Sequence, residues 1–237
     1  MTSPSASNTM RAIKNIAAPA RIYWPAATFP LMVAISLLTG CSGLPDKPTR
    51  SAMYDFGPGL TATQPSTRQA ALPPLALDDI ATPGGALDNM AVLYRLGYDD
   101  AQHLRPYSQA RWSMPPAQLV RQRMRDQLGK RRAIFNSGDS AALNRTQNPV
   151  LPLLLHMDLE EFSQLFSSPG ASVGLIRLRV TLVEITPAGE KLIGQRDVAV
   201  QRPADTADAP GGVRALTAAT DAAIEEIDQW LQQTPAR

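Results

Sequence analysis

A single thiol, two imidazoles and a few guanidinium and phenol groups are the side chains whose type and spacing could do chemistry in this 237-residue sequence. Cys41 is the only cysteine, so it cannot close an internal disulfide, and its value lies in its own reactivity or in its position. His156-x-Asp158-x-Glu160 is the best metal candidate, because period-two geometry sets three possible ligands on one strand face. The same alternation is also what a strand with one wet face displays without any ion. A serine hydrolase is not expected: no nucleophile elbow is read, and His103 lies among polar loop residues. No Gly-x-x-x-x-Gly-Lys run is present to cradle phosphate, so nucleotide hydrolysis belongs to a partner. The expectation is a protein that is no enzyme, with no catalytic residue, cofactor or resident metal.

Two further groups are candidates for contact rather than catalysis. Arg177 and Arg179 share a strand face, with Arg196 joining from the next strand if the register allows. Such a row could meet phospholipid head groups or an acidic partner; equally, it could pair with Glu184 or Asp197 as ordinary surface charge. Tyr94 and Arg95 are of the types enriched at interfaces. Tyr107 and Trp112 read as core anchors rather than as a ligand platform.

The position of Cys41 is the informative one. Arg11, Lys14 and Arg21 precede it with no acidic residue in positions 1–40, and the apolar run Phe29 to Leu38 follows them. That is the layout of an export signal. Its ending, Leu38-Thr39-Gly40-Cys41, resembles the lipobox of bacterial lipoproteins. The resemblance implies removal of residues 1–40 and a diacylglyceryl group on Cys41, which then becomes the first residue. Ser42 follows it, which in lipoproteins goes with sorting to the outer membrane. The rival is a signal anchor over the uncharged run Ile22 to Thr39, which Pro25 and Pro30 interrupt. Two or more acyl chains hold a protein durably, whereas one holds it marginally.

Of 23 basic side chains, three precede Cys41 and none of the 21 acidic ones does, leaving 20 against 21 in the mature chain. The basic footprint of a nucleic-acid binder is missing. Residues 41–51, with Gly43, Pro45 and Pro48, read as a tether; residues 52–237 read as one domain. Leu60 to Ala71 has no apolar period and reads as a mobile loop; Asn136 to Asn148 is polar and loop-like.

The elements that must position the candidates follow from periodicity. Short strands are expected near Met53–Phe56, Pro73–Leu77, Asn89–Leu96, Leu104–Trp112 and Ala133–Phe135. Ser113 offers an N-cap to a helix in which Ala117, Val120, Met124 and Leu128 recur at three and four residues, ended by Gly129. Leu151, Leu153, Leu155, Met157 and Leu159 alternate with polar residues, and the parity changes between Glu160 and Phe162, as at a bulge or a strand end. Turns at Ser168-Pro-Gly170 and Pro187-Ala-Gly189 make a three-stranded meander, and Val213, Leu216, Thr220, Ile224, Ile227 and Leu231 stripe a final helix. The fold class expected is α+β in two layers, a mostly antiparallel sheet with two main helices packed on it.

Leu93-Tyr-Arg-Leu96, Tyr107-Ser-Gln-Ala-Arg-Trp112 with Pro115-Pro116, Leu155-His-Met-Asp-Leu-Glu-Glu-Phe162 and Ile227-Asp-Gln-Trp230-Leu231 together resemble the PqiC-like family of ABC-type transport auxiliary lipoproteins. The resemblance implies a non-catalytic lipoprotein on the periplasmic face of the outer membrane. It would sit in the inner leaflet through its lipid and work with an MCE-domain protein and, through it, an ABC permease and ATPase. A stand-alone periplasmic lipid carrier and a general envelope assembly lipoprotein remain as alternatives.

Overall fold

A computed structural model of the chain describes residues 50–58, 72–139 and 151–234. Cys41, most of the expected tether and the Leu60 to Ala71 stretch fall outside these residues. In chain order the elements are β1 (Ala52–Tyr54), β2 (Leu75–Ala81), β3 (Ala91–Leu96), β4 (Asp100–Trp112), α1 (Pro116–Leu128), β5 (Ile134–Asn136), a 3-10 turn (Ser137–Asp139), β6 (Leu153–Ser168), β7 (Ala171–Thr186), β8 (Gly189–Pro203) and α2 (Ala209–Gln233).

The meander stands as expected: β6 to β8 pair antiparallel through the two predicted turns, the second using Gly189 at φ 117°. The parity change is a bulge, not an end. Leu159 pairs with Leu178 and Glu161 with Arg177, so Glu160 is the extra residue and the strand runs on to Ser168. Odd residues Leu155, Met157 and Leu159 face the core before the bulge, and Phe162 faces it after.

A mostly antiparallel sheet is not what forms. Among the described residues, eight strands make one mixed sheet in which four of the seven pairings are parallel: β1 with β4, β2 with β5, β2 with β6, and β3 with β6. The reason lies along the edge of β6 that β7 leaves free. β2 occupies its first half, with Leu75 opposite Leu153, and β3 its second half, with Leu96 opposite Phe166. Two strands thus lie end to end beside one long strand, both parallel to it. Parallel pairing joins segments far apart in the chain, and local alternation carries no record of it.

The two described helices lie against the sheet. α1 opens with Pro115 in the cap position and Pro116 at the first helical residue, with no side-chain cap, so Ser113 does not serve as one. α2 is capped by Asp208, whose side chain accepts from Gly211 N–H at 2.8 Å. That bond and one from Thr206 Oγ1 hold the Asp208 carboxyl below its ordinary range, the Thr206 bond most. The core joins Trp112, Phe162 and Phe56, whose rings meet at 5.6–6.1 Å, to Met124, Leu216, Ile224 and Ile227 from the helices.

Candidate functional site

The face of the sheet carrying the polar residues of β6 holds most of the predicted candidates. Glu160, pushed out by the bulge, accepts from Arg177 Nε at 2.9 Å and meets Arg179 Nη2 at 3.0 Å; Arg179 Nε reaches Asp197 at 3.1 Å. These two carboxylates, Asp197 most, hold the Arg179 guanidinium above its ordinary value. Both arginines stay about half exposed, at 49% and 45% of their side chains. Arg196 does not join them: it stands opposite Val180 and reaches Glu226 of α2 at 2.6 Å.

The His156, Asp158, Glu160 row does not converge on a metal. His156 Nδ1 lies 3.0 Å from Asp78 and Nε2 3.1 Å from Glu190, while Glu160 is taken by the two arginines. Among the described residues no group of three ligands could hold an ion. Partial burial raises the Asp78 carboxyl, but hydrogen bonds from Ser137, the Asp79 N–H and His156 outweigh this and leave it below its ordinary range.

The sequence does contain one Gly-x-Ser-x-Gly string, Gly170-Ala-Ser172-Val-Gly174, contrary to the expectation of none. It is no nucleophile elbow. It starts an antiparallel hairpin strand rather than a strand-to-helix turn, and the buried Ser172 hydroxyl accepts from Gln164 Nε2 at 2.7 Å. Neither histidine attends it: His103 accepts from Arg105 Nε, and His156 is held by its carboxylates.

Tyr94 and Arg95 sit where β3 meets the second half of β6. The Tyr94 ring packs on Tyr107 at 4.6 Å and edge-on to Phe166 at 6.0 Å. The Tyr107 hydroxyl donates to the fully buried Gln164 at 2.8 Å, and burial, with Tyr94 and Asp208 nearby, pushes its pKa far up, so it remains a donor. Arg95 grips Glu161 at 3.0 Å and donates to the carbonyls of Ala101 and Gln102, tying the β3–β4 hairpin to β6. Ser163 donates to the same Glu161 at 2.7 Å.

At the other end of the sheet, where β6 starts and α2 finishes, a cavity of about 440 Å³ opens. Its walls are the aliphatic side chains of Leu72, Leu75, Leu153, Leu182, Ile193 and Leu231, with Arg132, Glu184, Gln232 and Thr234 as the polar contribution.

The family model for the ABC-type transport auxiliary lipoprotein component matches residues 54–228. The chain belongs to that family. Two crystal structures share the fold of this auxiliary lipoprotein. Protein XCC0632 from Xanthomonas campestris is 16% identical over 72% of this chain and 90% of its own, with a TM-score of 0.56. An uncharacterized protein is 12% identical over 77% and 99%, with a TM-score of 0.53. No curated protein is similar enough in sequence to count as a relative. Among the described residues of the auxiliary lipoprotein, no helix is long and apolar enough to cross a membrane.

Sequence reasoning missed the polar clasps between elements. Arg123 on α1 is buried and grips Asp221 on α2 at 2.6 and 2.8 Å, and Arg132 pairs with Asp228. Asp221 raises the Arg123 pKa and, for Arg132, burial lowers it against the pull of Asp228. A signal for Arg123 was there: it falls three residues after Val120 and beside Met124, on the apolar stripe.

Proposed function

We propose that this auxiliary lipoprotein is a non-catalytic, outer-membrane-anchored component of an ABC transport system that passes lipid between the two membranes with an MCE-domain protein. Acylated Cys41 would fix it in the inner leaflet, facing the periplasm, and residues 41–51 would tether the domain over a reach of roughly 35 Å. The observation that carries this reading is the family match over residues 54–228 behind a Leu-Thr-Gly-Cys sequence. The named hydrogen bonds of its serines, histidines and carboxylates support an accessory role, since they are spent on holding strands together.

Of the contact residues, Arg177 and Arg179 are the two proposed to face a partner. They are half exposed on the helix-free face and held in place by Glu160 and Asp197. Tyr94 and Arg95 would act indirectly, by shaping the β3–β4 hairpin. Affinity purification of the tagged full chain from detergent-extracted membranes should recover an MCE-domain protein, and Cys41→Ser should release the protein from the outer membrane. Repeated purification without any MCE-domain protein would defeat the proposal.

A further inference from the structure

The cavity at the start of β6 is enclosed on one side by Leu153, Leu182 and Ile193 from three adjacent strands and on another by Leu231 near the end of α2. Leu72 and Leu75 close a further side. Among the described residues no aromatic ring lines it, so these walls offer dispersion contacts to a flexible chain and no stacking to a planar one. About 440 Å³ falls in the range of small-molecule sites. At roughly the 30 Å³ that one water occupies in liquid, a value close to that of a methylene, the space takes on the order of a dozen such groups. Elsewhere the interior is closely packed: among the described residues, eleven large side chains away from the cavity are exposed by less than 2%. Leu153, Ile193 and Leu231, by contrast, are only partly buried beside the space.

The polar groups at the cavity identify the other end of the guest. Arg132 is already paired with Asp228, and Glu184 with Lys191 at 3.1 Å. Among the described residues each charge has an opposite one beside it, so a carboxylate or phosphate entering here would meet no net positive charge and would face Glu184. The unspent donor is Arg132 Nε, buried with no hydrogen-bond partner among the described residues, and a neutral ester carbonyl can accept from it. Gln232 Nε2 donates to Asp228 and the Thr234 hydroxyl to the Trp230 carbonyl, each at 2.9 Å, so what the two side chains offer a guest is neutral oxygen able to accept from a hydroxyl. We infer that this cavity is a slot for one aliphatic acyl chain carrying an uncharged polar end, such as a glycerol ester. The inference concerns the folded domain itself and stands whether or not an MCE-domain protein is the partner.

Trp230 reports on the slot. It neighbours Leu231 in sequence, and a Cβ placed on Gly194, next to Ile193, would lie 3.2 Å from its ring. Full-chain lipoprotein held in amphipol is titrated with 1-(11-bromoundecanoyl)glycerol, whose chain matches the space and whose bromine quenches nearby indole. Saturable quenching is expected, absent in Trp230→Phe, with half-saturation at least tenfold higher in Ile193→Phe and in Leu231→Phe. Leu192→Phe, at a position 63% exposed and outside the lining, should titrate as the parent does. Free 11-bromoundecanoate should quench at least tenfold less well. Quenching that never saturates, or an equal loss in Leu192→Phe and Ile193→Phe, would overturn the slot. Equal affinity for the free acid would overturn the uncharged end. A protein that fills the slot yet captures no MCE-domain protein would sink only the proposed partnership.

Discussion

The two halves of β6, divided by the bulge at Glu160, meet their helix in opposite ways. In the second half the backbones come together: a Cβ at Gly174 would lie 2.5 Å from the backbone of Ala215 and Leu216, and one at Gly212 would run into the side chain of Gln164. Polar groups there are joined in a chain from Tyr107 to Gln164 to Ser172. In the first half side chains rather than backbones meet, with Trp230 of α2 over Gly194, and beside Leu153, Leu182, Ile193 and Leu231 a cavity of about 440 Å³ is left. One sheet and one helix therefore make a clamped end and an open end. The contrast teaches that glycine placement, more than hydrophobic content, decides where an α-on-β layer can admit a guest.

A matched pair of substitutions tests the contrast most sharply. Gly174→Ala pushes against the α2 backbone at Ala215 and Leu216 and should cost on the order of 3 kcal/mol. Gly194→Ala meets only the Trp230 ring edge at 3.2 Å and should change stability by less than about 1 kcal/mol. Thermal unfolding of the two variants checks this, since a domain of this size shifts by roughly 2–4 °C per kcal/mol. Equal losses would erase the distinction between the ends.

Next in size is the tie at the clamped end. Arg95→Ala strands Glu161, whose side chain is 11% exposed, and should cost about 3 kcal/mol. Arg177→Ala, on a half-exposed pair, should leave the urea midpoint unchanged. A smaller effect is expected from Tyr107→Phe, which removes the donor to buried Gln164 and should cost about 1–2 kcal/mol in urea unfolding. Were it neutral, the polar chain would not be what seals that end.

The smallest effect belongs to the open half and depends on pH. The folded-state pKa of Asp78 lies below its ordinary value, so the fold favours the ionised carboxylate. Its contribution is complete above the ordinary carboxylate pKa and is lost as pH falls through the lower folded value. Asp78→Asn should therefore be less stable than the parent near neutrality, with the gap closing in acid. A gap that widened in acid would reverse the sign.

Much of the local structure was legible because its causes are local. The meander came from two turn tripeptides and period-two alternation, the bulge from one parity change at Glu160, and both helices from their apolar stripes. The candidate site was legible only in part. Arg177 and Arg179 were placed on one face, and the Asp197 partner was among the alternatives read. Arg196 went to the opposite face because its register partner is Val180. The Gly170-Ala-Ser172-Val-Gly174 string shows the converse: a motif spelled in full carries no chemistry when a hairpin, not an elbow, bears it.

By itself the sequence determined what is written within a few residues: the signal-like start ending at Cys41, the strand and helix periods, and the scattered positions that pointed to the family. The tertiary structure alone decided the parallel laying of β2 and β3 along one edge of β6, the salt-bridged clasps Arg123–Asp221 and Arg95–Glu161, and the clamped and open ends. Those depend on contacts between residues some 60 to 100 positions apart. Such contacts form only when burial of the whole core outweighs the entropy of closing the chain between them.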